Sequence, residues 1–115
     1  LGGSGGSSDA LTLTGSTIGQ RGQTVSYTLS AMQPNAAFGL LIGLNNNGTT
    51  IFGHSFDIGY PYRTVHTGTA DANGQAVINL TVPMSVAPNT IAYVEGGALN
   101  GAGVDDSNLL TLLIQ

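Results

Sequence analysis

Few residues in this 115-residue chain can do chemistry: two histidines, six acids and two arginines, with no cysteine and no lysine. His54, Asp57 and His66 are the set from which a metal or acid–base site could be assembled. His54 and Asp57 fall on one strand edge and its loop, and His66 could pair with them across a hairpin. A catalytic zinc needs three convergent ligands and supporting groups behind them, and no recognisable spacing announces such a site here. Ser55 is only a sequence neighbour of His54, and no Gly-x-Ser-x-Gly elbow presents a nucleophile. The histidines therefore read as polar residues on a solvated face, and the chain as one that is not an enzyme.

Oxygen ligands offer a second chemistry. Asp105 and Asp106, with Glu95, could gather around calcium, and Asp71 with Asn73 could do the same in their turn. Neither set reproduces the ligand pattern of the known calcium loop, and Asp and Asn occupy turns because they bond their own backbone. No cofactor is therefore expected, with calcium the one candidate. Tyr60-Pro61-Tyr62-Arg63 offers two rings spaced by a proline whose peptide bond is open to the cis form. Such rings could stack on a sugar or anchor a protein partner, with Arg63 as the polar edge. Equally, they could close the open end of the fold. Asn47-Gly48-Thr49 and Asn79-Leu80-Thr81 match the glycosylation triplet, with Asn47 in the more exposed turn.

The elements that position these residues are strands. Residues 69–75 form a tight turn, since Asn73 and Gly74 tolerate positive φ and Asp71 can bond its own backbone. Ala76, Ile78, Leu80 and Val82 then alternate with Val77, Asn79 and Thr81, the period of a half-buried antiparallel strand, until Pro83 ends it. Residues 10–14 and 23–30 alternate in the same way, the latter with Val25, Tyr27 and Leu29 on one face. Residues 38–44 are apolar at every second position, and two glycines with the following Asn45-Asn46-Asn47-Gly48 favour strand and turn over helix. Residues 49–56 are expected to pair back on them. Short strands follow at 63–67, 90–95 and 109–114, with loops at 15–22, 57–62 and 96–107. About eight short strands with no helical period predict an all-β, antiparallel β-sandwich, immunoglobulin-like or jelly-roll-like. It is divided as a Gly/Ser-rich head or linker at 1–9 and a single domain at 10–115.

Composition narrows the partners. Only 7% of residues are charged, against about 25% in an average soluble domain. A net charge of -4 argues against nucleic acid, which needs a basic stripe. No apolar run approaches the roughly 20 residues of a membrane span. The chain opens on Leu1 rather than Met, which reads as the removal of a signal peptide, a propeptide or an upstream domain. Lys-free composition rich in Thr, Asn and Gly suits a secreted or cell-surface protein, and low charge favours association.

The segments 69–76 (TADANGQA), 91–95 (IAYVE) and 106–112 (DSNLLTL), with Leu13-Thr14-Gly15, together resemble β-sandwich repeat or tail domains of large secreted bacterial proteins. The unit of turn, alternating strand and proline is similar to bacterial immunoglobulin-like domains. The resemblance covers nearly the whole chain after residue 9. It implies an extracellular, non-catalytic module and supplies no catalytic residues.

The closing strand breaks the alternation. Leu110, Leu112 and Ile114 face one side, but Leu109 and Leu113 face the other, and the face of Gly39, Leu41 and Gly43 is similarly flat and apolar. A strand apolar on both faces wants cover on both. The expectation is a structural domain that self-associates through these five residues, as in a filament or surface layer, with the head lying along a neighbouring copy. The alternative is a carbohydrate-binding or adhesive module displaying Tyr60, Tyr62 and Arg63.

Overall fold

A computed structural model describes residues 10–101 and 103–115. The head at 1–9, and with it the expectation that it packs along a neighbour, lies outside the described residues. The described chain is all-β and contains no helix. Its strands are β1 (Thr12–Gly15), β2 (Ile18–Gly19), β3 (Thr24–Ser30), β4 (Ala37–Gly43), β5 (Thr49–Ile51), β6 (His54–Phe56), β7 (Tyr62–Thr69), β8 (Ala76–Thr81), β9 (Thr90–Leu99), β10 (Val104–Asp106) and β11 (Leu110–Ile114). These eleven exceed the eight expected because β2, β5, β6 and β10 are pieces of two or three residues, too short to show a period.

The strands form three sheets: β1-β3-β8, then β2-β11-β9-β4-β7 with β10 beside β9, and the hairpin β5–β6. All named pairings are antiparallel except β2 with β11. Alternation explains the three-stranded sheet. Val25, Tyr27, Leu29 and Ile78 are buried while their neighbours Thr24, Ser26 and Val77 are exposed. In the turn before β8, the Asp71 Oδ1 accepts the N–H groups of Asn73 at 2.8 Å and Gln75 at 3.0 Å. Gly74 sits at φ 75°, where a Cβ would collide with the Met32 carbonyl oxygen. Only glycine fits there.

One apolar core joins the two larger sheets. Leu13, Tyr27, Leu29 and Ile78 of the smaller sheet meet Leu40, Val94, Ala92 and Leu112 of the larger. A second, smaller cluster of Leu41, Phe56 and Ile58 lies on the other face of the larger sheet, beneath β5, β6 and the residues that follow them.

Three sequence expectations are corrected. Residues 49–56 do not pair with β4, because β7 and β9 already occupy both of its edges. They fold on themselves instead, with Thr49 opposite Phe56 and Ile51 opposite His54. Residues 96–107 are not a loop: β9 continues through Gly96 and Gly97 to Leu99 and pairs with β10. Those glycines stay in the strand because their missing side chains make room for packing: a Cβ on Gly96 would lie 2.7 Å from Leu29, and one on Gly97 2.9 Å from Phe56. The expected turn at 15–22 contains β2, which lies along the final strand.

Candidate functional site

β9 carries the only glutamate of the chain in the middle of the six-stranded sheet, with β4 beside it and Leu41 as its direct cross-strand partner. The alternation of β9 sends Ala92 and Val94 into the main core, so Glu95 and Tyr93 occupy the opposite, outer face. There residues 45–62 form a flap over the sheet. The flap is tied down at both ends of its loop: Asn45 Nδ2 donates to the Tyr60 carbonyl at 3.2 Å, and Gly59 N–H donates to the Asn45 carbonyl at 3.1 Å. Phe56 and Ile58 pack beneath it on Leu41.

Under this flap Glu95 is 0% exposed. Its Oε1 accepts the Ile58 N–H at 2.8 Å and its Oε2 the Asp57 N–H at 3.2 Å. The carboxyl of the sheet thus receives both backbone donors where the flap crosses it. Asp106, paired across from Gly97 at the end of β10, arrives on the same face. Its Oδ1 meets His54 Nε2 at 2.7 Å, and the His54 ring rests edge-on against Phe56, centroids 5.5 Å apart. Asp57 completes the group: one carboxylate oxygen from each of Asp57, Glu95 and Asp106 lies within 4.8 Å of the others.

Three acids this close cannot all hold a charge without help. Burial is the main cause that pushes the Glu95 carboxyl up to about 9, reinforced by hydrogen bonding with Asp106, while the Ile58 and Asp57 N–H groups pull the other way. Burial, then the charge of Asp106, raises Asp57 as well. At neutral pH Glu95 therefore keeps a proton it can donate to Asp106. Among the groups described, Asp106 Oδ2 has no other hydrogen-bond partner.

The sequence expectation of Glu95 with Asp106 matches this grouping, but Asp105 does not join it. It accepts from Asn100 Nδ2 at 2.8 Å, since neighbours in a strand face opposite sides. Asp57 takes the third place; sequence reasoning groups it with His54 and His66 rather than with the acids, because the preceding residues 49–56 are expected to pair with β4 instead of folding over the sheet. His66 does not pair with His54: it stacks on Phe38 of β4, centroids 5.9 Å apart. Asp71 is occupied by its own turn. Asn47 and Asn79 are both exposed.

Tyr60 and Tyr62 meet edge to face at 6.0 Å across a cis Tyr60–Pro61 bond. Tyr60 is 76% exposed, whereas Tyr62 packs against the outer apolar cluster. Tyr62 and Arg63 also border a groove of about 800 Å³ whose other walls include Ile42, Leu80, Val82 and Leu112.

The five apolar candidates for self-association separate. Leu41 is buried under the flap and Leu109 packs against the same cluster. A Cβ on Gly43 would touch Ile58 at 3.1 Å. The chain's own flap packs over Leu41 and Gly43, and Leu109 is half-buried against the same cluster. Gly39 borders an open groove of about 680 Å³ with Phe52 and Thr67. Leu113 stands half-buried between Ile18 and Ile91, its direct neighbours on β2 and β9.

Comparison with known proteins finds no matching family model and no matching curated protein.

Proposed function

We propose that this chain is a non-catalytic β-sandwich of bacterial immunoglobulin-like character, secreted or displayed at the cell surface, that associates with copies of itself in a filament or surface layer. The observation that carries this reading is the row Ile18–Leu113–Ile91, which crosses three adjacent strands in register on the outer face. The flap ends short of it, leaving Ile18 59% and Ile91 52% exposed. No exposed charge interrupts the row: the three strands contain one ionisable acid, Glu95, and it is buried. An exposed apolar strip in a chain with so few charges favours burial against another copy, and a heterologous contact of that kind is the one that propagates into a filament or layer.

A row of three side chains is far short of the roughly 20–30 residues a side of a standard interface, so association is reversible and concentration-dependent. Sedimentation of the chain over a hundredfold concentration range tests it. The expected result is a rising weight-average mass that Ile18→Thr with Ile91→Thr abolishes. A monomer at every concentration overturns the reading.

The absence of catalysis rests on how the histidines are used. The His54 nitrogen is taken up by Asp106, and among the described residues no hydroxyl nucleophile is bonded to either imidazole. Exposed Tyr60 beside Arg63 supports the second reading, a glycan-binding module. The aliphatic walls of the adjoining groove supply few of the polar partners that a sugar needs, so self-association is preferred.

A further inference from the structure

We propose that the groove between the β7 and β8 edges of the two larger sheets binds a free single-chain amphiphile with an anionic head, of the fatty-acid class. Its tail would lie on the apolar walls and its carboxylate on Arg63. The inference does not depend on the association reading, whose row of side chains lies on the outer face. β7 is an edge strand of the six-stranded sheet and β8 of the three-stranded one. The groove of about 800 Å³ is lined by Ile42, Ala92 and Leu112 from the first and by Val25 and Leu80 from the second. That volume is within the range of small-molecule sites, which are mostly apolar with a few polar groups that orient the ligand.

Charge is the second, independent observation. Arg63 is the only charged residue in the lining, and one of only two basic side chains other than histidine in the chain. It is the direct cross-strand partner of Ile42, which packs on the main core. Paired residues share a face of the sheet, so Arg63 leaves β7 on the core-facing side, where alternation calls for an apolar residue. Among the described residues the one ion pair joins His54 to Asp106, so no carboxylate of the chain answers Arg63. Its planar fork suits a carboxylate held through two parallel hydrogen bonds, and its stem can extend the apolar wall. A ligand that satisfies both features carries an aliphatic tail and one negative head. A sugar has no such tail, and a cationic amphiphile meets Arg63 with the wrong sign.

Decanoate, hexanoate, decanol and decyltrimethylammonium, each below its micelle-forming concentration, are titrated into the full chain by calorimetry at neutral pH. One decanoate per chain is expected, with the cationic amphiphile about tenfold weaker or more. Each methylene removed from the tail should weaken binding by up to about fourfold, so hexanoate should fall at least about tenfold below decanoate. Arg63→Met replaces an exposed side chain and keeps an apolar stem, so the fold should hold. It should weaken decanoate about tenfold or more and leave decanol unchanged. No saturable binding of decanoate overturns the proposal. So does equal affinity for the anionic and cationic amphiphiles, or unchanged decanoate affinity in Arg63→Met, since either leaves only an indiscriminate apolar surface. Equal affinity for hexanoate and decanoate also overturns it, because the tail would then lie outside the groove.

Discussion

On its inner face the six-stranded sheet meets the three-stranded sheet through Leu40, Ala92, Val94 and Leu112, with no acid or base among the buried members of that core. On its outer face the same strands meet a flap through Leu41, Phe56 and Ile58, and at the centre of that contact stand three acids. The first interface is closed mainly by apolar area, which is non-directional and cumulative, with Asn108 bonding both backbone groups of Leu13 at its edge. The second is small, and its closure depends on two backbone N–H groups finding Glu95. One strand, β9, serves both faces through alternate residues. It teaches that one strand can carry an apolar interface on one face and a polar latch on the other without any change of backbone.

The inner face should give the largest effect. Leu29 is fully buried, and Leu29→Ala leaves a cavity that costs about 3 kcal/mol. Chemical denaturation should show one cooperative transition at a lower midpoint. A change confined to the flap would break the comparison.

Glu95→Ala should cost about 2 kcal/mol, because the buried Ile58 N–H loses its acceptor. Glu95→Gln keeps a carbonyl oxygen in place and should cost less. The same pair sets the two faces apart through pH. The folded carboxyl is raised to about 9 from a reference value of 4.5, so between these values the folded state holds a proton that the unfolded state has lost. Stability therefore falls as pH climbs from about 4.5 to about 9, then levels off. Asp57, raised for the same reason, adds in the same direction. Thermal unfolding across that window should slope downward in the native chain and much less in Glu95→Gln. An equal slope in both would place the titrating group elsewhere.

Much of the inner face was legible in sequence. Val25, Tyr27 and Leu29 alternate with polar residues, and the Asp71–Gly74 turn announces itself by residue type. The all-β class follows from such segments. The outer face was less legible, because its residues break the usual signals. Gly96-Gly97 reads as a loop but serves as strand, the glycines yielding space to Leu29 and Phe56. Ile51 and Phe56 look like sheet residues, yet they build a flap that lies on β4 rather than beside it. Leu41 and Gly43 signalled a face in need of cover, and the cover came from within the chain. Glu95 gave one clue, a lone acid on the side of β9 that also carries Tyr93. That clue joined it to Asp106, but only the folded flap adds Asp57.

Amide hydrogen exchange at Asp57 and Ile58, set against Leu29 and Val94, tests most directly whether the flap is a separable unit latched by Glu95. Asp57 and Ile58 are expected to exchange through an opening much cheaper than the one that frees Leu29 and Val94, and Glu95→Ala to remove their protection while the core amides stay far slower. Equal protection at all four positions would contradict it, making flap and core a single cooperative body.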